Sequence, residues 1–177
     1  MAIPFDPTTA ETRKEYTPIP DGKYFGHIVE CNEPRTDVKT KKGAVCDILK
    51  LVFEIDGDKH SEFSSRKVWV DIWITKEVKG KTPDSAENLR FWKFLDAISY
   101  PLDEEEMEIG GITKLVKLLP QGATEILDSY IEGKPITITT YTDEWTGDDG
   151  KTRKTPKVKY FDKWKGGKTV EVDDLPF

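Results

Sequence analysis

Trp69, Asp71 and Trp73 alternate with Val68, Val70, Ile72 and Ile74 in the segment Lys67–Ile74, KVWVDIWI. On a strand, side chains two apart share a face, so the aliphatic set points to a core and the two tryptophans stand together outside. Two indoles at that spacing make a platform for planar rings. Nucleic-acid bases stack on such platforms for roughly 1–3 kcal/mol each, with little regard for sequence. An insertion or a partner subunit lying over the pair is the competing use. Base stacking also needs cations for the phosphates, and residues 151–168 carry eight: Lys151, Arg153, Lys154, Lys157, Lys159, Lys163, Lys165 and Lys168, opposed only by Asp162. Tyr160, Phe161 and Trp164 interleave with them, and Trp145 precedes them. A second basic knot, Lys39, Lys41 and Lys42, sits in a turn-like stretch, while Lys50 and Arg66 join the surface of the tryptophan strand. Basic runs mixed with aromatics are the footprint of a nucleic-acid surface.

Catalytic groupings are poor by comparison. His27 and His60 are the only histidines, and Cys31 and Cys46 the only cysteines. None has the spacing of a zinc site, and His27 falls inside a strand, where a structural role fits better than a base. Gly80-Lys81-Thr82 and Gly167-Lys168-Thr169 end like a phosphate-binding loop, but the required earlier glycine is replaced by Thr75 and Asp162. Asp103–Glu106 are consecutive acids that point in different directions. The sequence therefore predicts no enzyme, no metal and no cofactor.

The elements that must position these residues follow from periodicity. Residues 1–20 hold Pro4, Pro7, Pro18 and Pro20 and read as an extended arm. Strands are predicted over Gly22–Cys31, Ala44–Ile55, Lys67–Ile74, Lys134–Tyr141 and Thr155–Trp164. The stretch Asn32–Gly43, with Pro34, breaks the first from the second. Asp84–Tyr100 predicts a helix with a capping box at Asp84 and Glu87 and an apolar face of Leu89, Phe91, Trp92, Leu95 and Ile98. Short helices are expected around Ile112–Leu119 and Thr124–Ile131. Three strands, a helical insertion and two strands give the order of an OB-fold, a five-stranded mainly β barrel whose face and loops bind oligonucleotides or oligosaccharides. In that arrangement Lys39–Lys42 and the Trp145–Lys154 loop flank one groove. The expected organisation is an arm over 1–20, the barrel over 21–164 and a flexible acidic tail over 165–177.

Composition taken as a total opposes this reading. The chain of 177 residues has 27 Lys and Arg against 33 Asp and Glu, a formal charge of −6. The acids are segregated, however: nine lie between Asp96 and Glu132, and Glu171, Asp173 and Asp174 crowd the end. A polarised molecule keeps a basic groove despite an acidic total. No window approaches the roughly 18 apolar residues of a membrane span. The absence of a secretory leader and the two cysteines predict a reduced, cytoplasmic setting.

The final residues, Asp173, Asp174, Leu175, Pro176 and Phe177, form a docking peptide of acids, a stiffened turn and a terminal aromatic. This tip resembles the acidic Asp-Asp-Ile-Pro-Phe terminus of bacterial single-stranded DNA-binding proteins. The long Gly/Gln/Pro-rich linker that precedes it in those proteins is absent. The body is similar instead to a bacteriophage family of OB-fold single-stranded DNA-binding proteins. Pro20, Gly22 and Tyr24, the turn Thr40–Gly43, Phe53–Ile55, Gly57 and Arg66–Trp69 carry that similarity, well over residues 18–75 and loosely beyond. The resemblance implies coating of single-stranded DNA in replication, recombination and repair, with partners recruited by the tip and a monomer or homodimer as the working form. An RNA-binding OB protein and an adaptor that imitates the host tail are the alternatives.

Overall fold

The structure, a computed structural model, describes residues 18–81, 88–118 and 126–172. It is mainly β. Among the described residues seven strands run in order: β1 (Gly22–Lys39), β2 (Ala44–Ile55), β3 (Lys67–Val78), β4 (Asp103–Ile109), β5 (Ile112–Leu118), β6 (Pro135–Thr146) and β7 (Thr152–Asp162). The α-helix among the described residues, α1 (Leu89–Ala97), lies between β3 and β4. The strands pair antiparallel as a five-stranded sheet, β3-β2-β1-β6-β7, and a separate β4–β5 hairpin.

The alternation read from β2 and β3 sets their inner face. Leu49, Leu51, Phe53 and Ile55 of β2 and Val68, Val70 and Ile72 of β3 enter one core with Ile136 and Ile138 of β6. Phe91, Phe94 and Leu95 of α1 complete it, with Phe94 edge-on to Phe161 of β7. Gly26 lets β1 lie against β2: a Cβ there would stand 2.1 Å from the Glu54 carbonyl oxygen and 2.5 Å from the Phe53 ring.

Three expectations are corrected. The sheet is not closed into a barrel: β3 and β7 are its two edges, with no hydrogen-bonded ladder between them. They still run side by side, because Arg66–Trp69 share a depression with Lys154–Pro156, and Trp69–Trp73 share the next with Lys157–Lys159. Helix α1 serves both edges. The Asn88 side chain accepts from the Thr75 N–H (2.8 Å) and donates to its carbonyl (3.0 Å) on β3. Arg90 donates to the Lys159 (3.0 Å) and Val158 (2.9 Å) carbonyls on β7. Edge groups that a closed barrel would pair with each other are thus satisfied by two side chains one turn-half apart on the helix.

The second correction is in the insertion, which carries a β-hairpin as well as a helix. Ile112–Leu118 is a strand rather than a helix, turned back on β4 at Gly110-Gly111, both at positive φ. Among the described residues of the second predicted stretch, 126–131, only a 3₁₀ turn, Asp128–Tyr130, is helical. The third is the break at Asn32. β1 continues to Lys39 through Pro34 by means of irregular register at Asn32/Arg35 and Arg35/Val38, which relieves proline of its missing donor. The capping box at Asp84 and Glu87 lies outside the described residues. No described helix is long and apolar enough to cross a membrane.

Candidate nucleic-acid interface

On the outward face of β2 and β3, register pairs Trp69 with Val52 and Trp73 with Ile48, and between them Lys50 with Asp71. Val52 is 1% and Ile48 3% exposed, yet Trp69 and Trp73 are 68% and 47% exposed. Each indole therefore stands beside a buried aliphatic neighbour and keeps much of its own surface in water. Lys50 and Asp71 approach to 3.8 Å, which tethers the ridge between the rings. The Trp pair lies open, with no described element laid over it.

The seam between β3 and β7 adjoins this platform. Trp69, Trp73, Tyr141, Lys157 and Lys159 line a cleft of about 570 Å³ that also reaches Arg90. Trp69 continues it into a second depression, about 710 Å³, bounded by Arg66, Lys67, Lys154 and Pro156. Arg90 is a fixed charge at this seam. Its guanidinium is held by the two carbonyls, lies 4.7 Å from the centre of the Phe161 ring, and is drawn below its ordinary pKa by burial without losing its proton. Sequence periodicity did not single it out. The signal available was an arginine on the helix flank within two residues of the cap.

The basic strand carries less free charge than its composition suggests. Lys157 meets Asp143 at 2.9 Å, Lys154 meets Glu144 at 3.3 Å and Arg153 meets Asp149 at 2.8 Å. The Asp143 hydrogen bond raises the Lys157 pKa. Asp143 and Glu144 belong to β6, Glu144 directly opposite Lys154 and Asp143 diagonal to Lys157, so a count along β7 alone missed them. Lys39, Lys41, Lys42, Lys151 and Lys159 have no ion-pair partner among the described residues. Lys159 sits at the irregularity of β7, 5.3 Å from the Tyr160 ring centre.

Not every expected residue meets at one place. Lys50, Arg66, Trp69, Trp73, Lys154, Lys157, Lys159 and Tyr160 lie on the platform or along the seam and its continuation. Trp145, Lys151 and Arg153 lie at the β6–β7 hairpin tip, where Arg153 stacks on Trp145 at 5.0 Å and the indole donates to Thr155. Lys39, Lys41 and Lys42 sit at the other end of β3, beside Lys79, whose N–H donates to Gly43. The two loops thus stand at opposite ends of the seam. Both histidines have structural contacts: His60 Nε2 accepts from the Phe25 N–H, and His27 Nε2 donates to the Lys168 carbonyl. Among the described residues no group of acids, histidines and cysteines is arranged to hold a metal ion.

Asp173, Asp174, Leu175, Pro176 and Phe177 lie outside the described residues. The segment leading to them runs back over the sheet. Trp164 packs on Phe25 and His27, and the Val170 N–H donates to the Gly133 carbonyl. Val172 lines one open depression with Ser65 and Lys67, which also border the Arg66 end of the seam.

No known protein family matches the chain, and no curated protein does.

Proposed function

We propose that the chain is a phage-type single-stranded DNA-binding protein that coats DNA in replication and recombination without sequence preference. The observation that carries this reading is the pair Trp69 and Trp73, exposed on one face of β3 with Asp71 between them, along a cleft that holds Arg90, Lys157 and Lys159. Exposed rings accept bases of any identity, and the cations beside them neutralise the phosphates. The strand order β3-β2-β1-β6-β7, with β3 and β7 adjacent but unpaired, supports an OB-type sheet in open form. Recruitment of replication or recombination proteins is assigned to the tip Asp173–Phe177, on its resemblance alone.

The test is an anisotropy titration of a labelled single strand at two salt concentrations, with wild type and a Trp69→Ala/Trp73→Ala variant. Wild type should bind, more weakly at higher salt, and the variant should lose at least tenfold. Failure of the wild type to bind removes the reading; an unaffected variant removes the platform from it. Competition by a matched RNA strand separates DNA from RNA as the preferred ligand, because stacking does not sense the 2′-hydroxyl.

A further inference from the structure

The seam does not stop at Arg90. Beyond Arg90 and Lys159, which border both depressions, a further cleft of about 1010 Å³ opens between α1 and β7. Its walls present Trp92 and Lys93 from the helix, Tyr160 from the strand and Lys163 just past the strand's end. Tyr160 is 53% exposed, and Trp92 is partly exposed against the core. Four cations, Arg90, Lys93, Lys159 and Lys163, face two carboxylates, Asp96 and Asp162. Lys163 and Asp96 approach only to 4.0 Å, a solvent-exposed pair that gives little and is readily exchanged for a phosphate. This cleft repeats the chemistry of the Trp69–Trp73 seam, rings beside cations, on an element absent from the sheet.

We propose that the α1–β7 cleft is a second nucleotide-binding segment, continuous with the seam, so that a bound single strand passes from the Arg66 end, by Trp69 and Trp73, across Arg90 and along the helix. The proposal rests on the DNA-binding reading and extends it to the length and course of the bound strand. Arg90 is the hinge of this track. It holds β7 and the helix together while its charge faces both clefts. Continuity and charge favour the flanking nucleotides of the same strand as the occupant.

The experiment is a titration of wild type and a Lys93→Glu/Lys163→Glu variant with single-stranded oligonucleotides of increasing length. Both substituted positions are exposed, and a thermal melt verifies the fold. Wild-type affinity should climb with length and level off when the track is full. The variant should level off at a shorter oligonucleotide and bind long strands at least fivefold more weakly. A plateau at the wild-type length overturns the second segment while leaving the seam intact, and assigns the α1 cleft to another occupant such as a protein partner. Absence of wild-type binding at every length overturns this proposal together with the reading beneath it. Photo-crosslinking of a long strand to wild type gives a variant-free measurement: adducts on the α1 peptide support the track, and adducts confined to β3 overturn it.

Discussion

Trp69 and Trp73 combine two tasks. One edge of each ring stands beside Val52 or Ile48, and the rest remains available to a ligand. A phenylalanine at either position keeps an apolar ring, whereas alanine removes both the cover and the stacking surface. Trp73→Phe should therefore retain most of the affinity that Trp73→Ala loses, measured by the same titration. The cross-strand acids act in the opposite sense. Asp143 and Glu144 hold Lys157 and Lys154, and a phosphate must compete with them. Asp143→Asn with Glu144→Gln should tighten single-strand binding severalfold at low salt, and the gain should shrink as salt screens the field. Unchanged affinity would place those lysines outside the contact. Cys31 has a different fate: burial first, then Asp128 and Glu132, push its thiol up to about 11 from an ordinary 9.0. At pH 8 it should react with iodoacetamide far more slowly than a free thiol. Because the unfolded thiol ionises first, its contribution to stability is present below about 9 and lost as pH rises towards 11.

At the scale of elements, α1 is short but decides how the sheet ends. Asn88 makes two hydrogen bonds to the β3 edge and Arg90 two to the β7 edge. Asn88→Ala should cost about 1–3 kcal/mol, read as a lower denaturant midpoint, because it leaves the part-buried Thr75 groups without their partners. Gly26→Ala should cost a similar amount or more, since its methyl group meets the Glu54 carbonyl across the β1–β2 ladder. Strand β3 was legible because it has one dry and one wet face, which writes a period of two into Lys67–Ile72, and β2 was legible as a strand by its aliphatic and aromatic run, buried or half-buried on both faces. The β4–β5 hairpin was hard to read for the converse reason. Asp103–Glu108 is almost wholly exposed, so its composition reports solvent and not a face. Gly110-Gly111 was the available signal for the turn. The helix falls within its expected span and buries Phe91 and Leu95, but it ends at Ala97, short of Tyr100, and Leu89, expected on the buried face, is exposed.

For the whole molecule, a confined basic track is, on the proposed reading, the consequence of an acidic total. Carboxylates surround it on β6 and at Asp71, so only a ligand that reaches the seam gains the full attraction. A strand that contacts roughly four to six phosphates should show log affinity falling against log salt with a slope of about −3 to −4. Duplex DNA, whose bases are stacked away from Trp69 and Trp73, should bind much more weakly at the same salt. Equal binding of duplex and single strand would show that charge alone is at work.

Several features were determined by the residues themselves. The alternation of Lys67–Ile74 placed two tryptophans outside, the run from Lys151 placed cations near rings, and the periodicity of β2 and β3 set the core face. These are local properties, carried by neighbours one or two positions apart. Tertiary structure alone decided the rest. Asp143 and Glu144 meet the lysines of β7 across a ladder, Arg90 reaches β7 from a helix nearly seventy residues earlier in the chain, and β3 comes to lie beside β7 unpaired. Those relations depend on which strands pair and in what register. Hydrogen-bonding partners along a backbone are chemically alike, so it is the packing of the whole core that selects among them.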